Sequence, residues 1–187
     1  MTETAEKILE KYYSTNSKAY KILHRHSLNV TRLALKIAEK NPQLQADVEY
    51  IKTAGMLHDI GIFKTNAPDI GCHGDYPYIA HTYLGREILE KEGLTDIAPI
   101  CERHVGVGIS IRDIEENGLP LPKRDMIPLS TEEKIICYAD KFYSKKSAKI
   151  DKVKPTEKIL KKLKKHGKHK VAVFRSFMEE FGWEYIR

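Results

Sequence analysis

The chain has 187 residues, 41% of them hydrophobic and 9% aromatic, and carries a formal net charge of +6 at pH 7. This length and composition predict one globular domain, with or without an added tail, rather than a disordered chain. Three cysteines without a C-x-x-C spacing argue against a disulfide framework or a zinc ribbon, so we expect a reducing, cytoplasmic environment. Because no run of about 18 apolar residues occurs and the acidic N-terminus lacks a basic leader, we expect neither a membrane span nor secretion.

Positive charge is concentrated in one segment of the chain. Residues 145–170 contain 12 Lys against Asp151 and Glu157, which leaves 20 basic and 24 acidic residues elsewhere, a net charge of −4. A lysine-rich helix is usually a solvated face; the alternatives are a phosphate-rich partner or the steering of an anionic substrate. No aromatic residue interleaves with these lysines, which disfavours single-strand binding. Nucleic acid is therefore a possible but less favoured partner.

Apolar residues recur in steps of three and four through most of the chain, the spacing of amphipathic helices. Ser17 and the capping box of Ser130 and Glu133 mark helix starts, and Gly93 marks an end. Helices are predicted at residues 3–13, 18–39, 44–57, 77–93, 96–104 and 131–143, from Thr156 onward, and at 171–181. With no persuasive strand alternation and no internal repeat, the predicted fold is all-α.

Two connections lack this periodicity. Residues 60–78 contain several Gly and Pro residues, and a loop of this length inside a domain is often a lid or a pocket wall. Its polar residues are candidates for an additional ligand or a general acid, although loop residues without a role are more common: Asp69, Cys72, His73 and Asp75. A Pro-rich segment before Ser130 predicts a second extended loop.

Six residues that can bind metal occupy inward or terminal positions on five predicted helices: His26, His58, Asp59, His81, His104 and Asp140. A lone His on an apolar face is more often a hydrogen-bonded core residue than a ligand. Burying four imidazoles and two carboxylates together is costly unless a cation compensates them. A metal supplies that compensation, and helical bundles build di-metal centres from ligands on separate helices. Imidazoles with carboxylates suit Fe, Mn, Zn, Co or Ni better than Mg or Ca.

The order of these motifs resembles the HD-domain metal-dependent phosphohydrolase superfamily, and in particular its small stand-alone HDIG proteins. The matching segments are residues 26–30 (HSLNV), 57–61 (LHDIG), 81–89 (HTYLGREIL), 102–108 (ERHVGVG) and 133–141 (EKIICYADK). The resemblance covers about two thirds of the chain and is much more specific for the fold and the metal site than for the substrate. It implies an HD-domain helical bundle over residues 1–148, followed by a lysine-rich C-terminal helical extension over residues 149–187.

The resemblance also implies one or two divalent transition metals, with Fe or Mn favoured over Zn, Co or Ni. One set of residues would hold the first metal: His26, His58, Asp59 and Asp140. Asp59 would bridge to a second metal held with His81 and His104. Some two-metal relatives carry a second His directly after the one that matches His104, whereas this chain has Val105. That difference weakens an assignment to the cyclic-dinucleotide phosphodiesterases and leaves more open positions on the second metal.

The implied reaction is hydrolysis of a phosphate ester or anhydride by a metal-bound hydroxide, on a nucleotide or a related small phosphorylated molecule. His58 and Asp59 would act at the metals. Lys141 directly follows a ligand and Arg103 directly precedes one, so both are predicted to contact substrate phosphates, and Lys64 and Arg124 are further candidates. The alternative is that these cations lie on the surface or pair with a carboxylate such as Glu102.

Two other functions use the same residues. Some HD-domain relatives are mixed-valence di-iron oxygenases, and this ligand set does not distinguish them from hydrolases. The third hypothesis is a non-enzymatic, metal-stabilised module whose basic tail docks on nucleic acid. We expect no membrane partner for any of the three.

Overall fold

Amphipathic helices form most of the structure, a computed structural model that describes residues 3–186. The α-helices of this range are α1 (Glu3–Tyr12), α2 (Lys18–Lys40), α3 (Val48–Leu57), α4 (His81–Lys91), α5 (Pro99–Arg103), α6 (Ile111–Glu116), α7 (Thr131–Asp140), α8 (Thr156–Lys164) and α9 (Lys168–Phe181). The fold is all-α, as predicted, apart from a two-stranded antiparallel sheet. Its strands β1 (Asn66–Ala67) and β2 (Cys72–His73) pair with Asn66 opposite His73.

Helix α2 lies at the centre of the bundle and packs against α3 and α7. Ser17 caps its start, because the Ser17 side chain accepts a hydrogen bond of 3.1 Å from the Tyr20 backbone N–H. Its apolar stripe is fully buried and includes Leu23, Val30 and Ile37, with His26 on the same side. The predicted periodicity of this helix therefore positions an imidazole inside the core.

Several helix boundaries differ from the prediction. Helix α3 begins at Val48 rather than near residue 44, since the Asp47 carboxylate accepts hydrogen bonds from the backbone N–H groups of Glu49 and Tyr50. Helix α4 begins at His81 after a 3₁₀ turn at Tyr78–Ala80. Local capping and tight turns thus shorten the predicted helices without changing their order.

The two predicted loops contain more regular structure than expected. Residues 60–78 form short 3₁₀ turns and the small sheet, and their first turn packs against α4. The connection after α5 contains α6, whose start has a capping box between Ser110 and Asp113. A small separate core lies beneath it, formed by Ile109, Ile114, Leu121 and Met126. The prediction missed α6 because a six-residue helix shows little periodicity.

The C-terminal extension packs on the bundle. Aromatic rings of α9, including Phe174 and Phe181, contact the Tyr138 ring of α7 at centroid distances of 5.3 and 5.6 Å. The Tyr138 hydroxyl donates to the Gly182 carbonyl at 3.0 Å, and Lys36 of α2 donates to the Tyr185 carbonyl at 2.8 Å. The domain boundary near residue 148 stays a prediction. Within residues 3–186, no helix combines the length and the apolar character that crossing a membrane requires.

Candidate metal centre

The six predicted ligands lie within helices or directly after helix ends. His26 lies within α2, His81 is the first residue of α4, and Asp140 is the last residue of α7. His58 and Asp59 directly follow α3, and His104 directly follows α5. All six side chains are buried. Five of the six residues lie at or directly after helix ends. A residue in such a position can point inward without interrupting the apolar stripe of its helix.

These side chains form two groups that share Asp59. The ligand atoms of each group lie within 4.8 Å of one another, as a common metal ion requires. The first group consists of His26, His58, Asp59 and Asp140, and the second consists of Asp59, His81 and His104. This is the same division that the family resemblance implies.

The two carboxylate oxygens of Asp59 face different groups. Its Oδ2 lies 3.3 Å from His26 Nε2 and 3.0 Å from His58 Nε2. Its Oδ1 lies 3.3 Å from the Nε2 atoms of both His81 and His104. Asp140 Oδ1 completes the first group at 3.0 Å from His26 Nε2. A carboxylate with one oxygen in each group is arranged to bridge two cations.

Backbone carbonyls orient three of the four imidazoles. His58 Nδ1 lies 2.7 Å from the Gly55 carbonyl, His81 Nδ1 lies 2.5 Å from the Tyr78 carbonyl, and His104 Nδ1 lies 3.1 Å from the Ile100 carbonyl. A carbonyl can only accept, so each Nδ1 carries the proton and donates it. Each Nε2 then presents a lone pair to the centre, the tautomer that a metal ligand needs.

Several inward-facing atoms have no hydrogen-bond partner within residues 3–186: His26 Nε2, His58 Nε2, His81 Nε2 and Asp59 Oδ1. The other oxygen of Asp59, Oδ2, lies 2.6 Å from the Lys145 ammonium. Buried polar atoms of this kind are costly when unpaired. One cation in each group would satisfy these atoms, so this donor set fits a metal site.

The protonation states of the second group also suit metal binding. Burial lowers the pKa of His81 to about 3 and lowers the pKa of His104 in the same direction, so both imidazoles are neutral at pH 7. Burial opposes ionisation of Asp59, but the charges of Lys145 and His58 hold the pKa of this carboxyl well below its usual range. The second group thus offers neutral imidazoles and an ionised carboxylate. In the first group, burial alone would lower the pKa of His58, but the neighbouring Asp59 carboxylate raises it.

Lys145 also lies in the centre, although no motif in the sequence pointed to it. Its ammonium forms an ion pair of 2.6 Å with Asp59 Oδ2 and lies 6.0 Å from the centroid of the Tyr78 ring. Only 17% of its side chain is exposed. Lys145 follows Asp140 by five residues, beyond the end of α7, where helical spacing no longer predicts direction. In the sequence, only its position shortly after Asp140 indicates that Lys145 lies near the candidate metal centre.

The other predicted phosphate-binding cations have different surroundings. Lys141 lies 2.7 Å from Asp140 Oδ2 and donates to the His104 carbonyl at 3.2 Å, so it borders the centre. Arg103 instead pairs with Glu133 at 2.7 Å. Arg124 pairs with the buried carboxylate of Glu102, which Arg86 also contacts at 2.9 Å. Lys64 is half-buried in the turn after Asp59.

The loop candidates stay outside both groups of ligands. Asp69, His73 and Asp75 are exposed, whereas Cys72 is buried. Burial raises the pKa of the Cys72 thiol to about 11, so it is protonated at neutral pH. Roles in catalysis for Arg103, Lys141 and these loop residues stay predictions.

A helical bundle with a buried His/Asp centre of this layout defines the class of metal-dependent phosphohydrolases with an HD domain. The family model described as HD domain matches residues 23–144, so the chain belongs to this family. That range contains all six predicted ligands but ends before Lys145. It also ends before α8 and α9.

Relatives extend the comparison. An uncharacterized protein of Methanocaldococcus jannaschii, MJ0778, is 40% identical over 132 residues, which cover 68% of this chain and 70% of that protein. A protein of Picrophilus torridus named tRNA (cytidine(56)-2'-O)-methyltransferase is 31% identical over 153 residues, 81% of this chain but 39% of its own length. A Thermoplasma volcanium protein of the same name is 31% identical over 120 residues, 64% of this chain and 31% of its own length. No solved structure matches the chain.

Proposed function

We propose that this protein hydrolyses a phosphate ester or anhydride of a nucleotide or a related small phosphorylated molecule. The observation that carries the proposal is the sharing of Asp59 between two buried groups of metal-binding side chains. Membership of the HD-domain family supports the same class of reaction. The proposed cofactors are two divalent transition metals, with Fe or Mn favoured because imidazoles and carboxylates are mixed in each group.

The residues of the first group would hold one metal, and those of the second group would hold the other. When bound, such metals lower the pKa of a coordinated water and neutralise charge on the phosphoryl oxygens. The backbone carbonyls behind His58, His81 and His104 keep the imidazole lone pairs directed inward. The protein therefore supplies an oriented and largely water-free set of donors.

Cationic side chains at the edge of the centre would bind the substrate phosphate. Lys145 and Lys141 each lie beside a predicted ligand carboxylate, and both retain partial exposure, at 17% and 13% of the side chain. An ammonium at this boundary can donate to a phosphoryl oxygen while it stays next to the metal ligands. Tyr78 covers the same side, since its ring lies beside Lys145. The proposed substrate entrance is therefore bordered by Lys141, Lys145 and Tyr78.

A substrate panel tests the proposal. Metal-reconstituted protein would be assayed against nucleoside mono-, di- and triphosphates, dinucleoside polyphosphates and cyclic nucleotides. We expect metal-dependent turnover of at least one class, lost in Asp59→Asn and retained in Asp96→Asn, which removes an exposed carboxylate. No turnover by protein with bound metal would contradict hydrolysis. Oxygen consumption together with a mixed-valence EPR signal would instead favour a di-iron oxygenase.

A second candidate role is association with RNA. Two relatives are named as tRNA methyltransferases, and the aligned segments make up only 39% and 31% of their lengths. A domain similar to this chain is thus part of larger proteins whose names refer to tRNA. The basic segment of residues 145–170 is a feature suited to such a role, because RNA is a polyanion.

A further inference from the structure

Helix α8 has two chemically distinct sides. Ile159 and Leu163 lie on one side and are each only 5% exposed. The other side carries Lys158, Lys161 and Lys162, and Lys165 directly follows the helix. These four residues, here called the lysine stripe, are all exposed. At about 100° per residue, positions i, i+3, i+4 and i+7 share one helix face. Packing of the apolar side therefore turns the lysine stripe toward solvent.

The lysine stripe has no ion-pair partner in the described part of the chain, and the one acidic residue of α8 is Glu157 in its first turn. Within residues 3–186, none of its four ammonium groups forms an ion pair. The nearest acidic residue before α8, Asp151, is paired with Arg25 at 2.6 Å. Like charges on one helix face repel each other, so an anionic partner stabilises this surface.

An aromatic side chain lies beside the start of the same helix. Trp183 is 43% exposed and lines a cavity of about 370 Å³ with Pro155 and Thr156 at the start of α8. Phe142, Lys154 and Glu157 line the same cavity. Trp183 is separated from the lysines by some twenty residues in the sequence. The absence of aromatic residues among the lysines therefore gave no indication that Trp183 lies near the start of α8. Cations that follow a phosphate backbone, next to an aromatic ring that stacks on bases, are the combination used by single-strand binding proteins.

We propose that the lysine stripe and Trp183 together form a binding surface for single-stranded RNA. The ammonium groups contact backbone phosphates, and the indole stacks on a base at the cavity. The choice of RNA rests on the RNA-associated role proposed above, whereas the surface itself rests on charge and exposure. A lipid surface fits less well, because Ile159 and Leu163 are buried, Leu160 is half-buried, and α8 has no exposed hydrophobic face for a bilayer.

Fluorescence anisotropy of a 5′-fluorescein-labelled 12-nucleotide oligouridine tests the surface directly. The wild-type metal-loaded protein should bind with an affinity that falls as salt rises, and four phosphate contacts predict a slope of log K against log salt of about −2.8. The chain contains a single tryptophan, so quenching of its emission by unlabelled RNA reports on the same surface. Lys161→Gln combined with Lys162→Gln should reduce the slope by about 1.4.

Two further variants make the test specific. The double variant Lys40→Gln with Lys91→Gln removes the same charge from exposed lysines outside α8 and should bind as the wild type does. Trp183→Leu should weaken binding about 10-fold or more through lost stacking. Because the lysine-stripe residues are exposed, the melting temperature of the Lys161→Gln, Lys162→Gln protein should match that of the wild type.

Several outcomes would overturn the proposal. These are no binding at low salt, equal loss of binding in the Lys40→Gln, Lys91→Gln control, or tighter binding to vesicles of phosphatidylglycerol than to RNA. Tighter binding to a 12-nucleotide oligothymidine than to the oligouridine would overturn the assignment to RNA. Asp59→Asn should abolish phosphate hydrolysis but keep RNA binding. The Lys161→Gln, Lys162→Gln variant should weaken RNA binding but keep hydrolysis, so the two proposals fail separately.

Discussion

Asp59 makes more contacts with the other candidate ligands than any other side chain of the site. It is fully buried, it belongs to both groups of metal-binding residues, and it pairs with Lys145 at 2.6 Å. A carboxylate in this position needs cations on more than one side, because an uncompensated buried charge costs several kcal/mol. Asp59 therefore belongs to both groups of candidate ligands and also pairs with the Lys145 ammonium.

Replacing Lys145 tests its role in phosphate binding. Lys145→Met should weaken the binding of inorganic phosphate to the metal-loaded protein by about 10- to 100-fold, because a charge-assisted hydrogen bond contributes about 1.5–3 kcal/mol. Isothermal titration calorimetry measures this change, and elemental analysis should show unchanged metal content. Lys146→Met, next in sequence but exposed, is the matched control. Equal phosphate affinity in both variants would contradict a role for Lys145.

At the scale of elements, a close approach positions α4 against the turn after Asp59. A Cβ atom added at Gly61 would lie 2.4 Å from the His81 carbonyl oxygen and 2.6 Å from the Gly85 backbone nitrogen. Distances this short cannot occur without movement of the backbone. Glycine at this position therefore allows His81 to reach Asp59 Oδ1.

Gly61→Ala should displace α4 and with it the second group of ligands. We expect a loss of about 1–3 kcal/mol in the free energy of unfolding, the usual cost of overpacking. Metal bound per chain should fall from two toward one, as measured by elemental analysis after dialysis. Gly118→Ala is the comparison, since no atom lies within 4 Å of the added Cβ and only its positive φ of 56° opposes the change. Retention of both metals in Gly61→Ala would argue against this positioning role.

Helix α9 also contacts the segment after His104 through Lys170. The Lys170 ammonium donates to the Gly108 carbonyl at 2.7 Å and to Asp113 Oδ2 at 2.6 Å. Burial opposes ionisation of Asp113, but hydrogen bonds from Lys170 and Ser110 lower the pKa of this carboxyl. The folded state therefore favours the ionised form, and its contribution to stability is present at neutral pH and lost in acid.

Lys170→Met should lower the free energy of unfolding by about 1–3 kcal/mol at pH 7, since it leaves the Asp113 carboxylate without its cation. The difference from wild type should narrow below about pH 4, the usual range in which an unfolded Asp protonates. Urea denaturation at pH 7 and pH 3 measures both values. Lys168→Met changes an exposed lysine of the same helix and should have little effect. A difference that does not depend on pH would show that the charge of Asp113 is not involved.

At the scale of the whole molecule, the C-terminal extension shares its core with the bundle. The rings of Phe174, Phe177 and Phe181 all pack around Tyr138, which belongs to α7. Asp140, a predicted metal ligand, is two residues further along that helix. Helix α7 therefore connects the packing of α9 to the candidate metal centre.

Phe174→Ala should destabilise the protein by about 3–5 kcal/mol, the usual cost of truncating a buried Phe. If extension and bundle form one cooperative unit, circular dichroism and tyrosine fluorescence should report a single, coincident unfolding transition. Val173→Ala, at a position 36% exposed, should change stability far less. Two separate transitions would instead support independent folding of residues 149–187.

The sequence predicted the long helices well and the short elements poorly. In α2 and α7, periodicity and capping residues agree, so His26 and Asp140 could be placed on buried faces from spacing alone. Helix α6 and the 3₁₀ turns are too short for a periodic signal, and their form depends on contacts made after folding. Lys145 and Trp183 follow helix ends, where direction depends on tertiary packing, so neither could be placed beforehand.

The charges around Asp59 limit which ions the candidate centre can bind. Its carboxylates, Asp59 and Asp140, lie beside the ammonium groups of Lys145 and Lys141, so the side-chain charges cancel. Two divalent cations would leave a surplus of about four positive charges in a buried space, where the low dielectric makes such a surplus costly. Under the proposed function, an anion would enter with them. By thermodynamic linkage, metal and phosphate would then each tighten the binding of the other, and the centre would bind the two ions as a pair.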